Sequence, residues 1–423
     1  MSFMNGRYKE YKLDNGLVVA LQNTPTKTIA AKLRVNYGTV HEKKGEDGLA
    51  HFIEHCLVTG GSEKYNPKKA DEIRTSFGYS NATTSIGRTF FLGEMLSEDI
   101  EKWLRYISES VLKPGFNEQR VEGERKRILG EISEEKSHPM YPIQLEHSKL
   151  FYRDHPRGRF VLGSEEVVRN ASLDQLRNFH ARGYNPTNME LILAGELPDN
   201  TEEFVKRYFG SFAPGEDTRI KFPKLSPLEI KTVMHRSAPE RLNIGNREES
   251  SAQIFITYSG PENGHEDEYA VMVMNHILGG DTDSRLFKKV GLKLGSYSTS
   301  VSMNGEYNTG MLQILSNVPA IRINEAVEGI FQETERMKKL RLSKKLIEKI
   351  RKLAKFGVAK TFESNDGHIH AIEAKLDKGL TPESFIKGFD EVTAEKVVEV
   401  ANRYLPDREE GKYILFVRDP LKL

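Results

Sequence analysis

The 423-residue chain contains one cysteine, Cys56. A single cysteine excludes an intramolecular disulfide and any multi-cysteine metal or iron–sulfur site, and it suits a reducing compartment. If a metal is bound, histidines and carboxylates must hold it. Neither charge is in excess: 62 Lys+Arg stand against 61 Asp+Glu, a formal net charge of +1. That balance argues against a dedicated nucleic-acid binder or a membrane-surface protein. No run approaches the roughly 18 apolar residues of a membrane helix. The first ten residues lack both the apolar centre of a signal peptide and the Arg/Ser-rich pattern of a transit peptide. A cytoplasmic protein is expected, with no nucleic-acid and no membrane partner. The apolar share, 38% before glycine is counted, is enough to build cores. The length predicts two to three domains.

The chain repeats itself. Residues 31–38 read as an alternating strand, followed after a loop by a helix from about Glu46. Residues 252–260 read as a similar strand, followed by a helix from Glu266, an offset of 220. Ser172 opens a helix ahead of Tyr184-Asn185-Pro186 and an apolar strand. Thr393 opens another ahead of Tyr404-Leu405-Pro406 and a strand, an offset of 221. Two matches at nearly one offset indicate a duplicated domain. The expected division is 1–213 for the first copy, 214–245 for a proline-containing linker and 246–423 for the second copy. One short strand is expected around Ile230–Met234. Strand runs at 8–13, 17–23 and 29–37 mix with amphipathic helices over 97–112, 117–136, 325–339 and 343–362. The expected fold class is α+β: two homologous sandwich-like domains, each an antiparallel sheet with helices packed on it. Asn117 and Ser343 are expected helix N-caps.

The helix from Glu46 carries His51, Glu54 and His55. Histidines four apart stand one turn apart on one helix face, the spacing two imidazoles need to chelate one zinc ion. Glu54, three from His51, lies on nearly the same side. This is H-x-x-E-H, the inverse of H-E-x-x-H. A catalytic zinc wants three protein ligands and one open position. The 117–136 helix offers Glu118, Glu122, Glu124, Glu131, Glu134 and Glu135, and residue chemistry alone does not choose among them. A helical histidine pair also occurs as a satisfied core or surface pair. The repeat weighs against that reading: at the same offset the second copy has Val271, Met274 and Asn275, ordinary core-helix residues. Two histidines and a glutamate on such a helix cost packing energy unless they are paired. The first copy therefore reads as the working one. Cys56 reads as buried, and Arg125-Lys126-Arg127 as a solvated helix face.

Taken together, these motifs resemble the pitrilysin/insulysin/mitochondrial processing peptidase family of zinc endopeptidases, over nearly the whole chain. Lys12-Leu13-Asp14-Asn15-Gly16-Leu17 resembles the family's opening strand and turn. Gly48-Leu49-Ala50-His51-Phe52-Ile53-Glu54-His55 is similar to its zinc motif, and Asn81-Ala82-Thr83-Thr84 with Thr89 to its cleft-edge strand. Glu124 and Glu131 fall in its second acidic motif. Gly279-Gly280 and Ser284-Arg285-Leu286-Phe287 resemble its second-half signature. The resemblance implies half of a clamshell built from two such chains. It implies one zinc ion per chain held by His51, His55 and Glu131, with Glu54 as general base and Glu124 supporting the metal site. It implies peptide substrates added as an extra strand along Asn81, Ala82 and Thr83. Tyr297 matches the family's tyrosine, which an arginine normally precedes by seven residues. Here that place is Val290, and only Lys289 or Lys293 is near. The resemblance thus implies a second family chain as partner, in a homodimer or with a paralogue that supplies the Arg/Tyr pair. Some relatives are non-catalytic subunits of larger assemblies, and these typically lack zinc ligands or the base.

Overall fold

The computed structural model describes residues 8–229, 231–237 and 250–420. The strands are β1 (Tyr8–Lys12), β2 (Val18–Asn23), β3 (Thr28–Val35), β4 (Tyr79–Thr84), β5 (Thr89–Leu96), β6 (Met189–Gly195), β7 (Thr232–Ser237), β8 (Ser251–Ser259), β9 (Ser298–Asn304), β10 (Met311–Pro319) and β11 (Tyr413–Asp419). The helices of the first half are α1 (Leu49–Thr59), α2 (Pro67–Arg74), α3 (Ile100–Leu112), α4 (Glu118–Ser137), α5 (Tyr141–Tyr152), α6 (Glu165–Asn170), α7 (Leu173–Gly183) and α8 (Thr201–Phe209). Those of the second half are α9 (Glu268–Gly279), α10 (Ile323–Met337), α11 (Lys344–Thr361), α12 (Asn365–Lys378), α13 (Pro382–Glu391) and α14 (Ala394–Tyr404).

Two compact units form. The first holds the residues up to Ser137 with Arg159–Lys221 and Val358–Glu383. The second holds His138–Gly158, Phe222–Gly357 and the chain from Ser384 onward. Their sheets run β1-β2-β6-β3-β5-β4 and β7-β11-β8-β10-β9. From β2 onward the two orders correspond strand for strand, as a duplication requires. The pairing is antiparallel except for one parallel pair in each sheet, β2 with β6 and β7 with β11. Each of those pairs joins an early strand of a copy to its last, after a long crossover. The short linker strand is β7; Ile230 lies outside the described residues.

Both sheet faces are covered in each unit, which explains why β6 (Met189–Gly195) is buried along its whole length. In the first unit α1, α3, α4 and α7 pack on the inner face, around Leu33, Phe52, Trp103 and Phe179. Trp103 lies against Gly93, where a Cβ would come within 2.2 Å of its indole nitrogen, so β5 needs glycine there. The outer face takes α12: Ile369 and Ile372 cover Ala20, Ala30 and Ile192. Around them Lys32 pairs with Glu373 at 2.9 Å, and fully buried Arg34 pairs with Glu190 at 2.9 Å and with Asp377. In the second unit α5 covers the outer face through Ile143, Phe151 and Tyr152 against Ile414 and Phe416. Asn117 and Ser343 act as caps, accepting the N–H of Arg120 at 3.0 Å and of Leu346 at 3.2 Å. Ser172 and Thr393 cap α7 and α14 in the same way. The helix expected from Glu46 begins instead at Leu49, because Gly48 sits in the left-handed region (φ 101°).

Candidate metal centre

Helix α1 is apolar and buried on most of its surface: Leu49, Ala50, Phe52, Ile53, Cys56 and Leu57 all belong to the first unit's core. His51, Glu54 and His55 are each only 8% exposed, yet they are polar, so each must be satisfied locally. Helix α4 packs beside α1 and supplies the acids.

His51 Nε2 and His55 Nε2 stand 3.3 Å apart. Glu131 Oε2 lies 3.6 Å from the second and 3.9 Å from the first. Ligands about 2.0–2.2 Å from a zinc ion at tetrahedral angles are roughly 3.3–3.6 Å from one another. These three donors alone among the described residues make a compact group that could hold a metal ion, and their spacing fits it. Of the six α4 carboxylates open in the sequence, the fold brings Glu131 to the histidine pair and Glu124 behind it. Glu124 Oε2 accepts from His55 Nδ1 at 2.8 Å. With the ring proton on Nδ1, the His55 Nε2 lone pair faces Glu131 and His51. Burial pushes the Glu124 carboxyl up, but the hydrogen bonds from His55 and Thr59 outweigh it and keep it below its usual range. Burial, helped by His55 and Arg127, pulls His51 down to about 3, so its imidazole is neutral at ordinary pH. His51 Nδ1 is buried without a hydrogen-bond partner among the described residues.

Glu54 sits about one turn from His51 and next to His55, facing β4. Thr84 Oγ1 donates to Glu54 Oε2 at 2.7 Å. Burial raises the Glu54 carboxyl, and Thr84 offsets this only in part. β4 is the edge strand of its sheet, paired on one side with β5. Along it Ala82 is buried, while Asn81 and Thr83 are exposed. Tyr297 belongs to the second unit, where its side chain is 93% exposed. Val290, at the place an arginine would take, is fully buried in that unit's core.

Three contacts escaped the sequence reading. Thr84 holds Glu54, although the sequence marked it only as part of an edge strand. Glu42 binds the start of α1 from across a loop. Of the expected solvated face, Lys126 and Arg127 are exposed but Arg125 is not: it bonds to the Ala171 carbonyl at 2.8 Å and stacks on Phe52, while Arg127 Nε lies 3.3 Å from Glu131 Oε1. The i,i+4 spacing of Arg127 and Glu131 was the available signal for the last.

Known proteins resemble this chain across both halves. The family model "Insulinase (Peptidase family M16)" matches residues 17–165, and "Peptidase M16 inactive domain" matches residues 170–353. A Bacillus subtilis protein, the uncharacterized zinc protease YmxG, is 26% identical over 404 residues, covering 93% of this chain and 95% of its own. The mitochondrial-processing peptidase subunit beta of Neurospora crassa is 24% identical over 421 residues, covering 94% of this chain and 85% of its own. Among solved structures, a protease from Helicobacter pylori has a TM-score of 0.83 at 20% identity, over 98% of this chain and 99% of that one. That likeness is one of fold.

Proposed function

We propose, since this chain belongs to the pitrilysin/insulinase (M16) family of peptidases, that it is a zinc-dependent metalloendopeptidase acting on short or unfolded peptides. The observation that carries the reading is the convergence of His51 Nε2, His55 Nε2 and Glu131 Oε2 within 3.3–3.9 Å beside a buried carboxylate. One zinc ion per chain, held by these three residues, would supply Lewis-acid polarisation of the scissile carbonyl and a more acidic water.

The chain's own groups do the rest. Glu54 receives a proton at its carboxylate and returns it to the leaving amine; its burial makes it a stronger base than an exposed glutamate. Thr84 fixes the carboxylate's rotamer through Oε2. Glu124 fixes the tautomer and plane of His55. The free edge of β4 binds the substrate backbone as an added strand along Asn81, Ala82 and Thr83, which favours extended peptides with loose sequence preference.

We further infer that the active form is a pair of family chains. The buried Val290 leaves this chain without an arginine seven residues ahead of Tyr297, and the inactive-domain model falls on this half. A paralogue that supplies the Arg/Tyr pair fits better than a second copy. Mixing the chain with such a paralogue should raise peptide cleavage; full activity from the isolated chain would reject the heterodimer. A non-catalytic role, as a subunit of a peptidase-like assembly, is the rival reading. Glu54→Gln separates the two: the enzyme reading requires zinc to stay and cleavage to go.

A further inference from the structure

The helix that carries His51 and His55 starts without a cap of its own. Its N-cap, Gly48, has no side chain to offer. A Cβ there would meet the Leu162 carbonyl oxygen at 2.9 Å, and one on Gly163 would meet Gly48 Cα at 2.2 Å, so two segments cross where only glycine fits. The amides of this helix start are bound from a distance. One carboxylate oxygen of Glu42 accepts the backbone N–H of Gly48 at 2.9 Å and that of Ala50 at 3.0 Å. Glu42 is buried, and its own backbone is held in turn. Arg159 Nη1 donates to the Thr39 carbonyl at 2.7 Å and to the Glu42 carbonyl at 3.2 Å. His51 follows Ala50 directly, in the turn where a helix frays first.

The second copy supplies a contrast. Glu262 stands 220 positions after Glu42, but its carboxylate pairs with Lys224 at 3.0 Å. The start of α9 is held by other means: Asp267 binds Lys396 at 2.7 Å and the Tyr404 hydroxyl at 2.8 Å. The same residue type at the same place in the repeat serves the helix start only in the copy with the histidines.

We infer that Glu42 is a positioning residue for the metal site: by clamping the first turn of α1 it holds His51 Nε2 at its 3.3 Å spacing from His55 Nε2. Metal donors must sit within about 0.5 Å of their working positions, so a frayed first turn weakens binding without removing a ligand. The inference rests on the zinc reading.

The test is competition of the full chain with a chelating dye for zinc, run beside thermal melts. Glu42→Ala should bind zinc about tenfold more weakly, equivalent to about 1.4 kcal/mol. Glu42→Gln, whose amide oxygen accepts the same two N–H groups, should stay within about threefold of wild type. Val205→Ala, a core truncation on α8, should lower the melting temperature and leave zinc affinity unchanged. Wild-type affinity in Glu42→Ala, or an equal loss in Val205→Ala, overturns the inference while the zinc reading stands. If Glu42→Ala does not fold, Arg159→Met decides: about threefold weaker zinc supports the clamp, and unchanged affinity rejects it. A wild-type chain that binds no zinc overturns both.

Discussion

Helices α1 and α9 occupy matching places in two sheets of matching strand order, yet one carries His51, Glu54 and His55 where the other has Val271, Met274 and Asn275. Val271 and Met274 are fully buried and simply extend the second unit's core. The neighbouring helices diverge in step. The α4 helix brings Glu124 and Glu131 to the histidines, whereas α11 carries seven Lys and Arg and one carboxylate, Glu348. The polar set is therefore not what holds this fold. Buried imidazoles and carboxylates cost desolvation, and at the three matching positions of α9 the second copy does without them.

The largest expected break in this contrast is Glu54→Gln. Cleavage of an unfolded peptide should fall by about 10²- to 10⁴-fold, with zinc content unchanged. Substitution of Met274 by alanine in the other copy should cost stability, about 2–5 kcal/mol in a chemical melt, but not the cleavage step.

Next comes Glu124→Gln. Loss of the charged acceptor behind His55 Nδ1 should weaken zinc about 10- to 100-fold in dye competition. The matched pair at the equivalent helix position is expected to split in outcome. His55→Leu should abolish zinc binding. Asn275→Leu should leave cleavage within about twofold and hold or raise stability, because Asn275 Oδ1 is buried without a hydrogen-bond partner among the described residues.

The outer helices sharpen the contrast by pH. Burial lowers His147 on α5 to about 4, so protons prefer the unfolded segment. The stability of that helix should be full above pH 6.5 and fall as pH drops toward 4. On α12, burial pushes Glu373 up, but its hydrogen bond to His370 and the charges of Lys32 and Arg34 hold it at about 2. Its contribution should be full above pH 4.5 and fall as pH drops toward 2. Amide exchange, corrected for intrinsic rates, should therefore show α5 loosening before α12. Glu373→Gln should remove the second step and leave the first.

Much of this was legible in local sequence. The i,i+4 histidines, the caps at Asn117, Ser172, Ser343 and Thr393, and the repeat offset are all short-range signals. The choice of Glu131 and Glu124 among six acids on one helix came only from family resemblance, since it depends on how α4 packs against α1. The clamp by Glu42 crosses a loop and joins residues six and eight apart with no periodic mark. Nor does any local pattern tell that α5 and α12 each cover the sheet of the unit built mainly from the other half of the chain. Their apolar faces look like those of any amphipathic helix.

Metal analysis of the purified full chain tests the central claim, that one copy of the repeat works and the other is scaffold. One zinc per chain is expected, lost in His51→Ala and retained in Asn275→Leu. Two zinc ions per chain, or one that survives His51→Ala, would contradict it.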